Sequence, residues 1–169
     1  ARVPKTWSDD PYAEPNLLFR GTASGRYEEV EPRGGTSELL VASSRAAVFG
    51  DIDNDGRIDV VVVNQQAPIH LLRNVTPDDQ HWIGFRVLNA YGQDAINAVV
   101  TVKAGARIFM RDVRPGYSFL ASNDPRTHFG LGDLTTIDQI TVRWMDGTTS
   151  TYGGIAVDQY HELRRPDDA

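Results

Sequence analysis

Apolar residues along this chain recur mostly at every second position, in short runs bounded by glycine, proline, asparagine and aspartate. Alternation of period two is the mark of a half-buried strand, because successive side chains leave opposite faces of an extended backbone. Asn16 to Gly21 and Arg26 to Val30, either side of a turn at Ser24-Gly25, predict a hairpin. Residues 46–50 and the β-branched run ending at Val63 predict two further strands, the second of them buried. Trp82 to Leu88 alternates, and Ala98 to Lys103 turns at Ala104-Gly105-Ala106 into Arg107 to Val113, a hairpin with one apolar face. Ile137 to Trp144 alternates up to a turn at Asp146-Gly147, Thr148 to Tyr152 returns, and Tyr160 to Leu163 supplies a last short strand. Leu39 to Ser43 fits a short strand or a turn of helix, while residues 1–15 and 31–38 read as irregular lead-in and loop. The chain is therefore expected to be all-β. Six or so strands at 8–12-residue spacing in its second half predict an antiparallel β-sandwich or barrel. The polar joint Thr76 to Gln80 sets the expected boundary, giving parts 1–77 and 78–169.

Composition narrows the function more than the fold. A chain of 169 residues with 40% hydrophobic content is long enough for one ordinary domain or two small ones with a core. A formal net charge of −6, with no basic stripe, argues against a nucleic-acid partner. There is no cysteine, so disulfides, thiol chemistry and Cys-based zinc sites are excluded. No apolar run approaches the roughly 18–20 residues of a membrane-spanning helix. The chain starts at Ala1 and is expected to be a mature product or an excised piece, so the missing signal peptide is silent on compartment.

The chemistry concentrates at Asp51-Ile52-Asp53-Asn54-Asp55-Gly56-Arg57-Ile58-Asp59. Four carboxylates packed this closely repel one another unless a cation sits among them. Calcium takes about six to eight oxygens from carboxylates, backbone carbonyls and water. A sharp turn at Gly56 would fold Asp51, Asp53 and Asp55 inward, with the carbonyl of Arg57 and the carboxylate of Asp59 closing the shell. Calcium is the expected cofactor, in preference to a merely solvated acidic turn. An EF-hand is excluded, because its twelfth position would be Val62 and the flanks are strands. A phosphatase of the haloacid-dehalogenase type, with Asp51 as nucleophile and Asp53 as acid, is disfavoured. Asp55-Gly56-Arg57 lacks the required hydroxyl, and helical crossovers are missing from the following hundred or so residues.

Pro15 to Gly21 and Pro68 to Asn74 share a proline, an apolar pair and an arginine at an offset of 53, which suggests a repeat. Ser44 to Gly50, Asp59 to Asn64 and Leu71 to Asn74 resemble an FG-GAP/VCBS repeat over about residues 15–75. That resemblance implies a calcium-bearing partial β-propeller of one to one and a half blades, too little to close a ring of about four or more. About residues 81–164 resemble the ASPIC/UnbV family. The matching pieces are Trp82-Ile83-Gly84, Ala95 to Ala98, Arg114 to Tyr117, His128 to Gly132 and Val142 to Gly147. Asn97 and Met145 depart from the family's usual glycine and proline.

The two resemblances together imply a non-enzymatic, calcium-stabilised binding or structural module, the C-terminal part of a longer exported protein. Its location would be extracellular, periplasmic or on a cell surface. Its ligand would be a protein or a glycan, and unpaired blade edges would favour self-association. The alternative is a carbohydrate-recognition or substrate-positioning module attached to an enzyme, with Tyr91, Tyr117, Phe119 and Tyr152 as stacking candidates; core and turn packing is the preferred role for these four. His70, His81, His128 and His161 lack metal-ligand spacing, and His128 is expected to be a satisfied structural group. Asp124, Asp133 and Asp138 are too irregularly spaced to predict a second cation site.

Overall fold

The computed structural model describes residues 10–77 and 79–166. Its first seven strands are β1 (Glu14–Pro15), β2 (Phe19–Gly21), β3 (Tyr27–Glu29), β4 (Val41–Ala42), β5 (Ser44–Gly50), β6 (Asp59–Asn64) and β7 (His70–Leu72). The next seven are β8 (His81–Leu88), β9 (Val99–Ala104), β10 (Arg107–Asp112), β11 (Thr127–Gly132), β12 (Gln139–Arg143), β13 (Thr149–Tyr152) and β14 (Tyr160–Arg164). A single 3₁₀ turn at Arg33–Gly35 is the one helical element among the described residues. Among the described residues no helix is long and apolar enough to cross a membrane.

Two compact units form. One comprises the chain up to Ala47 together with Val61–Leu71, the other Val48–Val60 together with the chain from Leu72 onward. The aspartate loop, which its sequence groups with the N-terminal repeat, therefore packs in the C-terminal unit.

In the first unit the expected hairpin is present: β2 and β3 pair antiparallel, Phe19 opposite Glu29. Gly25 takes φ +76° in the connecting turn and donates to the Thr22 carbonyl at 3.0 Å. The ambiguous segment before Ser43 resolves as a strand, β4, antiparallel to β1. Ser44 Oγ donates to Asn64 Oδ1 at 2.8 Å, and Asn64 Nδ2 donates to the Pro68 carbonyl at 2.7 Å, which satisfies a largely buried amide. Strands β5, β6 and β7 form a three-stranded sheet in that order. A propeller blade has four, so this sheet falls one strand short of a blade.

The second unit is built on a four-stranded sheet, β10-β9-β12-β13, and a three-stranded sheet, β11-β8-β14. Alternate residues of each strand enter one core: Ile83, Phe85 and Val87 from β8, Val100 and Val102 from β9, Phe129 and Leu131 from β11, and Ile140 and Val142 from β12. The spacing of two is the pleat itself, so the alternation in sequence becomes the buried face. The β9/β10 and β12/β13 hairpins fall where their turns predict. No sheet among the described residues closes into a barrel.

Two features depart from the sequence reading. Strand β14 runs parallel to β8, Tyr160 opposite Gly84 and Arg164 opposite Leu88, so the sandwich is not wholly antiparallel. A strand arriving this late in the chain reaches β8 by a crossover and is not bound by hairpin geometry. Strand β11 has no clear strand signature, because Gly130 and Gly132 dilute it. It pairs with β8 nonetheless, with a register shift at Gly130/Gly132 and Gly132 at φ +66°. That combination is a glycine bulge.

The β12–β13 turn carries a pH-sensitive group. Asp146 Oδ1 accepts from the Thr148 hydroxyl at 2.8 Å and the Thr148 amide at 3.1 Å, and its Oδ2 accepts from Arg165 at 2.6 Å. Chiefly the Thr148 hydroxyl, then Arg165, hold this carboxyl down at about 2, against an ordinary 3.8. A lowered folded-state value means stability that is present above the ordinary value and is lost as pH falls toward about 2. Carboxyl NMR titration should give Asp146 a midpoint near about 2, raised in Arg165→Gln. A wild-type midpoint of 3.8 would refute the assignment.

Candidate metal centre and adjoining cleft

The loop between β5 and β6 is shaped by its own carboxylates. Asp51 Oδ1 accepts from the Asp55 amide at 3.1 Å and Oδ2 from the Gly56 amide at 2.8 Å. Asp59 Oδ2 accepts from the Ile52 amide at 3.0 Å and Oδ1 from the Asn74 amide at 2.8 Å. Both side chains belong to residues only 2% exposed, and two backbone donors apiece offset much of the cost of burying them. Asn54 at φ +60° and Gly56 at φ +87° turn the backbone back on itself. Asparagine and glycine are the residues that tolerate this region.

The outcome gathers three of the predicted ligands. Carboxylate oxygens of Asp51, Asp53 and Asp59 lie within 4.8 Å of one another, the first and third buried and Asp53 exposed. Asp55 is not among them. Its carboxylate is ion-paired with Arg57, whose amide also donates to Asp55 Oδ1 at 2.9 Å. The Arg57 side chain goes on to donate from Nε to the Asn74 carbonyl at 2.9 Å. Asp53 is ion-paired with Arg73. The donor set of the cluster is all oxygen, which fits a hard divalent cation of the calcium type and not a soft one.

Arg126, which no spacing rule singles out, fixes this loop. Its Nη2 donates to the Asp51 carbonyl at 2.7 Å, Nη1 to Asn54 Oδ1 at 2.6 Å and Nε to Asp124 Oδ2 at 2.7 Å. Its guanidinium carbon sits 4.0 Å from the centre of the Tyr160 ring, a desolvated cation–π contact. Burial, then the nearby Asp51 charge, pushes the Tyr160 hydroxyl far above its ordinary range. Behind Gly56 lies Trp82, stacked on His128 with ring centres 5.4 Å apart and tilted against Tyr160 at 4.9 Å. His128 is not the satisfied group expected: its Nε2 is buried without a hydrogen-bond partner among the described residues. Burial holds its imidazole below the ordinary pKa, with the Gly56 backbone acting the other way.

A cleft of about 440 Å³ adjoins the loop, lined by Phe49, Tyr117, Arg111, Arg114, Arg126 and Tyr160 among others. Tyr117 is 56% exposed and stacks on Phe49 at 6.3 Å. Tyr91 and Phe119 are also largely exposed, whereas Tyr152 packs against the core and donates its hydroxyl to the Arg164 carbonyl at 2.8 Å. The other acidic candidates stay apart. Asp124 is held by Arg126, Asp133 is paired with Arg107 at 3.2 Å, and Asp138 accepts from the Gly105 amide at 2.8 Å. The remaining histidines are scattered too: His81 Nδ1 lies 2.7 Å from Asp158 Oδ2, and His161 Nε2 lies 2.7 Å from the Ala156 carbonyl.

With this geometry in place, comparison with known proteins bears on the C-terminal unit. Residues 89–169 match the family described as ASPIC and UnbV. The C-terminal part of the chain carries an ASPIC/UnbV domain. The chain is also similar to cartilage acidic protein 1 of Xenopus tropicalis, 27% identical over 154 residues. That alignment takes in 80% of this chain and 23% of the relative, so the chain spans about a quarter of that protein's length. In the C-terminal unit Trp82, which precedes the matched residues, and His128, which lies within them, were legible in sequence only as parts of motifs and turn out to support the aspartate loop.

Proposed function

We propose that this chain is a calcium-stabilised, non-enzymatic binding or structural module of a longer extracellular protein, with the aspartate loop as an FG-GAP/VCBS-type cation site. The observation that carries this reading is the convergence of Asp51, Asp53 and Asp59. Two buried carboxylates and a third close by repel one another, and a divalent cation bound between them relieves that repulsion. Similarity to a protein named for cartilage supports the extracellular location. The site is structural in this reading. Its loop is tied into the C-terminal unit through Asn74 and Trp82 and to the ASPIC/UnbV region through Arg126, so cation binding stabilises the unit that holds it.

The affinity expected for such a site is on the order of 10⁻⁶–10⁻³ M, between sensor and extracellular modules. Calcium at a hundred times its dissociation constant should then add about 2.7 kcal/mol to stability. Chelation should lower the melting temperature and expose Val60 to Val63 to proteolysis. Asp53→Ala should copy the effect, and added calcium should not rescue it. Magnesium should substitute poorly, because it demands tight octahedral geometry. An unmoved melting curve on chelation, with no heat of calcium binding in calorimetry, removes the reading.

A second reading, carbohydrate recognition, has one observation in its favour: Tyr117 is an exposed aromatic ring at the wall of a cleft.

A further inference from the structure

The cleft beside the aspartate loop joins two kinds of surface, aromatic and charged. Phe49 and Tyr117 supply stacked aromatic rings, and Tyr117 keeps more than half of its surface exposed. The end of β10 and the residues after it add Arg111, Asp112 and Arg114 to the lining. The side chains of Asp112 and Arg114 make no hydrogen bond or ion pair among the described residues. Arg111 uses one donor on the neighbouring Met110 carbonyl, at 3.0 Å, and its guanidinium lies over the Phe129 ring at 5.9 Å, which leaves its other N–H groups to offer. Arg126, in contrast, is committed to Asp51, Asn54 and Asp124 and serves as a fixed wall.

Each surface alone would mean something else. An aromatic platform alone suits an apolar ligand, and a pair of guanidiniums alone suits any small anion. Together with a carboxylate they match a pyranose ring that carries an acid. The ring's C–H face stacks on an aromatic side chain, a carboxylate accepts from its neighbouring hydroxyls, and the guanidiniums receive the acid, one of them as a two-pronged pair. The volume of about 440 Å³ is within the range of roughly 300–1,000 Å³ for small-molecule sites, enough for one or two sugar rings. We propose that this cleft binds a uronic-acid saccharide, with Tyr117 stacking on a pyranose ring, Arg111 and Arg114 receiving the carboxylate, and Asp112 accepting from the hydroxyls. The proposal rests on the binding-module reading but takes no contact from the cation: Asp51 of the cluster lines the same cleft, yet none of these four residues belongs to the cluster.

The test is a titration of the whole chain, in calcium, with tri-galacturonate, with the neutral galactose trisaccharide and with inorganic phosphate, read by amide NMR shifts and calorimetry. Saturable shifts at residues 111–117 with the acidic sugar are expected, and binding of the neutral sugar should be at least roughly tenfold weaker, the loss that goes with one charge-assisted bond. Arg114→Gln and Tyr117→Ala should each weaken the acidic sugar by a similar factor. Both side chains are exposed, so the variants should melt with the wild type, and that curve is recorded alongside. Equal binding of the neutral sugar overturns the role of the arginines. Phosphate binding at the same residues without sugar binding overturns the saccharide, and no shift with any probe overturns the site. Sugar binding in a chain whose melting ignores calcium keeps this proposal and removes the cation site. A calcium-dependent melting shift without sugar binding does the reverse.

Discussion

Trp144→Ala should lower the stability of the chain by about 3–5 kcal/mol, the usual cost of removing a large buried aromatic side chain. Trp144 is 2% exposed, follows β12, and belongs to the core shared by both sheets of the C-terminal unit. Its indole Nε1 donates to Ser150 Oγ at 2.8 Å, in a pair where both groups are buried. Its backbone closes the β12–β13 turn, with the Trp144 amide donating to the Thr148 carbonyl at 2.9 Å. Truncation therefore opens a cavity and also removes the indole donor from the buried Ser150 hydroxyl. Trp144→Phe fills most of the space and loses only the hydrogen bond, so it should cost about 1 kcal/mol for that bond plus a smaller packing loss. Urea unfolding measures both. Domain stabilities are only about 5–15 kcal/mol, so the alanine variant should be partly unfolded at moderate urea. A loss under about 1 kcal/mol for Trp144→Ala, a fraction of the usual cavity cost, would mean that the two sheets do not share this core.

Gly56→Ala is the second large effect, and it reaches the candidate metal centre. Gly56 sits at φ +87°, and a Cβ there would overlap the Trp82 indole. Trp82 has little room to retreat, being stacked on His128 and set against Tyr160. The cost combines backbone strain of about 1–3 kcal/mol with overpacking of similar size. The Gly56 amide also bonds Asp51 Oδ2, so a displaced backbone moves a cluster carboxylate. Both the melting temperature and the calcium affinity should fall. Gly147→Ala is the matched control: the same φ of +87°, the same unit, and nothing within 4 Å of the added carbon. It should show the backbone strain alone. Equal melting losses for the two variants would show that Trp82 does not brace the loop.

The sequence by itself determined what local rules control. The β2/β3, β9/β10 and β12/β13 hairpins follow from alternating apolar positions around glycine-containing turns, and each forms within a few dozen residues of chain. The placement of an aspartate loop between two strands was legible for the same reason: a turn residue at Gly56 and β-branched residues after it act on their neighbours alone. Long-range pairing decided the rest. Strand β11 exists because β8 offers it an edge and the core takes Phe129 and Leu131, not because its glycines favour extension. Strand β14 lies parallel to β8, which no local pattern encodes. At the candidate site, Asp59 joined Asp51 and Asp53 while Asp55 went to Arg57, since buried carboxylates gather where backbone donors meet them. Arg126 is 75 residues from the Asp51 carbonyl that it holds, and only the folded sandwich brings the two together. Spacing along the chain can propose oxygen ligands, but the order in which distant arginines and amides claim them is a property of the tertiary structure.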